Sequence, residues 1–143
     1  MEQIVISGSG VFTPEESITN KELATAYNAY AEIYNSTNND DIRKGNKAAL
    51  EFSSEEFIYK ASGIKNRFVM DKKGILDPNI MHPILDKRGN DEPSILAEIS
   101  VKAAKKAMKS AGKISHDIDA VITACSNLER AYPAVSIEVQ ELL

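Results

Sequence analysis

The chain has 143 residues, room for one domain of ordinary size, and the first expectation is a single core. Hydrophobic residues at 43% and charged residues at 27% exclude disordered, collagenous and membrane-spanning classes, and a net charge of −4 argues against a broad nucleic-acid surface. One cysteine, Cys125, rules out an internal disulfide framework and fits a reducing cytosol, and two histidines are too few soft ligands for a structural zinc site. The first residues lack a signal-peptide pattern, and no apolar run approaches the roughly 20 residues that cross a bilayer.

In chain order, Ile4, Val5 and Ile6 form a β-branched run passing into Ser7-Gly8-Ser9-Gly10-Val11-Phe12, which predicts a buried strand stopped by Pro14. Thr19 and Glu22 form a capping box that opens a helix near Asn20, with Leu23, Ala24, Tyr27, Tyr30, Ala31 and Tyr34 at helical spacing. The polar stretch from Asn35 to Asn46 predicts an exposed connection. Ser53-Ser54-Glu55-Glu56 forms a second capping box opening a helix that Gly63 ends as a left-handed cap, and residues 64 to 70 read as a strand. Residues 71 to 92 read as a long loop. Pro93-Ser94 starts the clearest helix, with Ile95, Ile99, Ala103, Ala107 and Met108 inward, Lys102, Lys105, Lys106 and Lys109 outward, and Gly112 closing it. Its alanines predict close packing. Ala120 to Cys125 reads as a third strand and Ala134 to Leu143 as the start of a further helix. Alternating strands and helices indicate an α/β class with crossover helices.

Chemistry-bearing residues are sparse. Cys125 at a strand end is a conceivable nucleophile, but without a partner histidine motif it reads as a small core thiol. His82 and His116 read as solvated loop residues. Ser7-Gly8-Ser9-Gly10 lacks the span of a dinucleotide fingerprint and the Lys of a P-loop, so it reads as a strand end. The lysines of the long helix serve either as a solvated face or as a landing site for an acidic partner. Tyr132, in the loop after the third strand, either lines an apolar pocket or staples that loop to the next helix.

The segments together resemble the opening third of a β-ketoacyl-acyl carrier protein synthase III, in the thiolase-like superfamily. The resemblance is carried by residues 6–14 (ISGSGVFTP), 19–23 (TNKEL), 61–67 (ASGIKNR) and 119–126 (DAVITACS), with Tyr132-Pro133-Ala134. It implies an α/β chain that is the N-terminal part of a thiolase-like layered α/β/α fold, a sheet with crossover helices, incomplete at its C-terminus. Residues 1–143 would then be one part of a synthase domain, with insertions at 34–50 and 72–91 relative to compact members. The activity it implies is a decarboxylating Claisen condensation of an acyl thioester with malonyl-acyl carrier protein in fatty acid biosynthesis. A non-catalytic partner subunit, or a synthase of secondary metabolism with the same fold, is the alternative.

The resemblance further implies a cytoplasmic homodimer using acyl carrier protein and acyl-coenzyme A, with no cofactor, metal, nucleic acid or membrane. The family's acylated Cys, with its His and Asn, is expected after Leu143, and Cys125 does not match it; no catalytic residue is expected within the chain. For substrate binding it implies Phe57 at the aromatic position that stacks the adenine of coenzyme A, and Ser53 beside the nucleotide. Ala61, with Lys60 beside it, stands where many relatives have a basic residue for the phosphates. Tyr132 matches the aromatic position that reaches the partner subunit's acyl pocket.

Overall fold

A computed structural model describes residues 4–143. The chain packs as two units, Pro14–Asp86 and a second made of residues up to Thr13 together with Lys87–Leu143.

In the Pro14–Asp86 unit, strand β1 (Glu16–Thr19) pairs antiparallel with β2 (Asn66–Val69), Ile18 opposite Arg67. Helix α1 (Asn20–Thr37) follows β1 directly, because Thr19 and Glu22 close the capping box expected from their spacing. Short helices α2 (Asn39–Arg43) and α4 (Lys72–Leu76) contact α1, as does α3 (Glu55–Ser62), which ends on Gly63 at φ 70°. Ile18, Ala24, Ala26 and Ala31 are buried, and so is Asn20. Asn20 earns its burial through full satisfaction: its amide donates to the Ile64 carbonyl at 2.7 Å and accepts from Arg67 at 2.7 Å, while its backbone N–H donates to Lys65 O at 3.2 Å. The polar residue thereby fastens the start of α1 to the entrance of β2.

In the second unit, helix α5 (Ile95–Ala111) packs on α6 (Val135–Leu142). Ala97 and Val101 meet Val135 and Val139, with Leu96, Val121, Leu142 and Leu143 around them. Ser94 caps α5 by accepting the Ala97 N–H at 3.1 Å, and Gly112 at φ 65° ends it. The glycines of residues 7–12 lie against the alanine side of α5: a Cβ on Gly8 would stand 2.9 Å from the Ala111 Cβ, and one on Gly10 would stand 2.8 Å from the Lys106 Cβ. Close packing was the expectation from those alanines, and the glycines are its other half.

The structure differs from the sequence reading in several places. Among the described residues the sheet has two antiparallel strands, and the runs at 4–12 and 120–125 are neither helix nor strand. A strand is stabilised by its ladder, which these runs lack here, and Ile122 points outward, 93% exposed. Successive residues nevertheless face opposite ways, Val121 and Thr123 half-buried and Ile122 and Ala124 exposed. Strand β1 was not anticipated, because only Ile18 of its four residues is apolar. Helix α1 runs on to Thr37, and α2 and α4 occupy stretches expected to be irregular. The deepest positions of α5 are Ala97 and Val101, while the five residues expected inward are half-buried.

Candidate functional site

The Pro14–Asp86 unit holds an open cleft of about 650 Å³, mainly apolar, that includes Leu23 and Tyr27 of α1, Phe52 and Ser53 before α3, Phe57 of α3, and Met81. Two asparagines of α1 set one wall. Asn28 donates to the Ser53 carbonyl at 3.0 Å and accepts the Ser53 N–H at 2.8 Å. Asn35, seven residues on along the same helix, repeats the pattern with Leu50 at 2.9 Å in both directions. The two amides substitute for a neighbouring strand, giving residues 50–53 the backbone partners that no ladder supplies. Ser54 then turns this segment into α3 by accepting the Phe57 N–H at 3.1 Å. The consequence is that the Phe57 ring, 66% exposed, and the Ser53 residue belong to one cleft.

The segment after β2 supplies another wall. Asp71 caps α4, and its carboxylate also accepts the Ile84 N–H at 2.6 Å. The Ile84 amide, with those of Gly74 and Lys73, holds the Asp71 carboxyl below the usual carboxylate range. At the base of α1, Glu22 pairs with Lys72 at 2.6 Å and takes the Thr19 N–H at 2.9 Å, which lowers its pKa to about 2.

In the other unit, Glu138 is buried at 6% exposure. It accepts the Ser94 hydroxyl at 2.6 Å and the Ser94 N–H at 3.0 Å, with Arg130 at 3.8 Å. Burial pushes the Glu138 carboxyl up, but the Ser94 donors and Arg130 outweigh it and leave the group below its ordinary value. Arg130 also donates to the Glu92 carbonyl at 2.8 Å, so the cluster ties residues 90–94 to α6.

Of the residues singled out by sequence, Ser53 and Phe57 share the cleft, whereas Tyr132 lies in the other unit, 89% exposed, before a cis Tyr132–Pro133 bond. Such exposure removes the staple reading of Tyr132, because a ring that fastened its loop would be covered. Cys125 is exposed, which corrects its reading as a core thiol; residues 120–125 are not a buried strand, so they carry no thiol inward. His82 and His116 are exposed, as expected, and among the described residues no group of His, Cys, Asp and Glu has the arrangement of a metal site. Asn28, Tyr27, Asp71 and Met81 were missed by sequence reasoning. The heptad spacing of Asn28 and Asn35 on a helix was an available signal, since polar amides in line must find partners when the face is covered.

No family model matches the chain. It is 54% identical over 118 residues to a β-ketodecanoyl-acyl carrier protein synthase of Pseudomonas aeruginosa, an alignment covering 82% of this chain and 34% of that protein. It is 24% identical over 143 residues to a β-ketoacyl-acyl carrier protein synthase III of Granulibacter bethesdensis, covering 100% of this chain and 31% of that one. It is also 24% identical over 139 residues to one of Caulobacter vibrioides, covering 97% of this chain and 30% of that one. The chain therefore spans about a third of the length of the curated relatives it matches. By sequence it is thus similar to the N-terminal portion of β-ketoacyl-acyl carrier protein synthases, those named synthase III among them.

Proposed function

We propose that the chain forms the N-terminal part of a thiolase-like acyltransferase that condenses an acyl thioester with malonyl-acyl carrier protein in cytoplasmic fatty acid biosynthesis. The observation that carries this reading is the 54% identity, across 82% of the chain, to a protein named for making a β-ketodecanoyl chain on acyl carrier protein. In the proposed reaction a cysteine thiolate takes the acyl group and releases coenzyme A as its thiol. Malonyl-acyl carrier protein then loses carbon dioxide, and the resulting carbanion forms the new carbon–carbon bond at the acyl carbonyl as the thiolate departs. Cys125 is not assigned as that nucleophile: it is exposed and lies in a segment without helix or strand, not at the start of a helix.

The contribution assigned to this chain is binding. Phe57 offers an exposed aromatic face for the adenine of the coenzyme A donor, Ser53 lies beside it in the same cleft, and the apolar lining favours a flat ring over a charged group. The phosphates have less help, since Ala61 is neutral, Lys60 stands at the last turn of α3, and Lys65 lies 5.6 Å over the Tyr59 ring. Tyr132 is assigned to the acyl pocket of a second subunit in a homodimer, a role that suits its exposure.

The reading is tested by following carbon dioxide released from carboxyl-labelled malonyl-acyl carrier protein when the native protein is given octanoyl-coenzyme A. Release dependent on the acyl donor supports it; release equal with and without donor, or none, overturns it.

A further inference from the structure

Between Asp77 and Ile84 the chain doubles back beside the cleft. At one end the Asp77 carbonyl accepts the N–H groups of Ile80 and Met81 at 3.0 and 2.9 Å, and its carboxylate accepts that of Asn79 at 2.8 Å. At the other end the Asp71 carboxylate holds Ile84, and Gly74 leaves room for the returning backbone, since a Cβ there would stand 2.5 Å from the His82 carbonyl. Inside this frame Met81 has φ 56°, the left-handed region that glycine and asparagine enter readily and an ordinary side chain enters against resistance. Among the described residues no other non-glycine has a positive φ, and this one lines the cleft that contains Phe57. Turn chemistry alone would place Gly or Asn at that position. Backbone strain at a cleft-lining position, over-determined by hydrogen bonds on both sides, points to a side chain kept for what it touches.

We infer that Met81 is a specificity-determining residue, its thioether contacting the planar base of the nucleotide that Phe57 stacks. The inference rests on the coenzyme A reading of the cleft. Methionine suits the role because sulfur is polarisable against an aromatic ring and the unbranched chain adapts to its edge.

The test titrates the native protein and its M81G, M81N and F57A variants with coenzyme A, adenosine 3′,5′-bisphosphate and 4′-phosphopantetheine, and follows the unfolding of each. M81G relieves the backbone while deleting the thioether, so its unfolding midpoint should hold or rise while its affinity for the two adenine ligands falls about 3- to 10-fold. Phosphopantetheine, which has no base, should bind the chain and M81G alike. If M81G does not fold, M81N, which also tolerates the left-handed region, is read by the same criteria. If F57A weakens adenine binding and neither Met81 variant does, or if phosphopantetheine weakens in step with the adenine ligands, the role of Met81 is overturned and the cleft reading stands. If the unaltered chain binds neither adenine ligand, the cleft reading falls and takes the inference with it.

Discussion

Replacing Glu138 by alanine should cost the unit built on α5 and α6 a large share of its stability. Glu138 is nearly fully covered and accepts two hydrogen bonds from Ser94, at 2.6 and 3.0 Å, with the Arg130 guanidinium at 3.8 Å. Hydrogen bonds to a charged group contribute about 1.5–3 kcal/mol each. Truncating one member of a buried charged cluster, which strands the remaining partners, costs about 3–5 kcal/mol. The alanine variant should therefore unfold at lower urea by an amount equivalent to about 3–5 kcal/mol at neutral pH, and Glu138→Gln, which keeps one acceptor oxygen, should lose less. The pH dependence gives a second constraint. Because the folded carboxyl lies below its ordinary value, its stabilisation is fully present above the ordinary carboxylate range and is lost as pH falls through the lowered folded value. The gap between the unaltered chain and Glu138→Gln should accordingly narrow as the medium is acidified through that range. Urea midpoints at neutral pH and across the acid range measure both effects. An alanine variant within about 0.5 kcal/mol of the unaltered chain, the usual scale of a surface change, would refute the reasoning. So would a gap to the glutamine variant that stays constant down to strong acid.

Other consequences are as direct. Gly10→Ala would set a methyl 2.5 Å from the Ala107 amide nitrogen, so overpacking should lower the thermal midpoint by an amount equivalent to about 1–3 kcal/mol; an unchanged midpoint would show that residues 7–12 are free to move off α5. The Glu22 carboxyl, held first by Lys72 and then by Thr19, should titrate near 2 in a nuclear magnetic resonance experiment and climb toward the ordinary value in Lys72→Met. Its favourable contribution to folding is present above the ordinary value and disappears as pH falls through about 2, so a midpoint near 4.5 in the unaltered chain would remove the ion pair from the account. Tyr132→Ala should leave stability within about 0.5 kcal/mol, since the ring is 89% exposed, while under the proposed acyl transfer it should shift the acyl length that the native protein prefers; identical profiles across donors would reject the pocket assignment.

The sequence made the helices readable and the sheet much less so. Caps are local chemistry: Thr19 with Glu22, Ser94, Gly63 and Gly112 each lie within a few residues of the groups they satisfy and act where the pattern put them, whereas at α3 the cap is Ser54 through the Phe57 N–H and not the capping box expected of Ser53 to Glu56. Strand pairing depends on distant partners, so the β-branched runs at 4–6 and 120–125 advertised strands that the described ladder does not contain, while the largely polar Glu16–Thr19 pairs because Asn66–Val69 meets it. The cleft was half legible. Ser53 and Phe57 are close in sequence and on one capped turn, which brings them together almost inevitably. Asn28, Asp71 and Met81 arrive from separate elements, and only the folded chain shows that the Asn28 amide fixes Ser53, that Asp71 pins the return of the loop, and that Met81 sits in the left-handed region beside the cleft. Tyr132 stood out for its place after a presumed strand, a signal that reports loop position and carries no information about what the ring will touch.

The assignment to acyl transfer is tested most directly by the intact mass of the native protein before and after exposure to coenzyme A thioesters from acetyl to dodecanoyl. A gain of one acyl group is expected, favouring a medium chain, with the adduct on a cysteine other than Cys125. No adduct with any donor, or an adduct confined to the exposed Cys125, would contradict it.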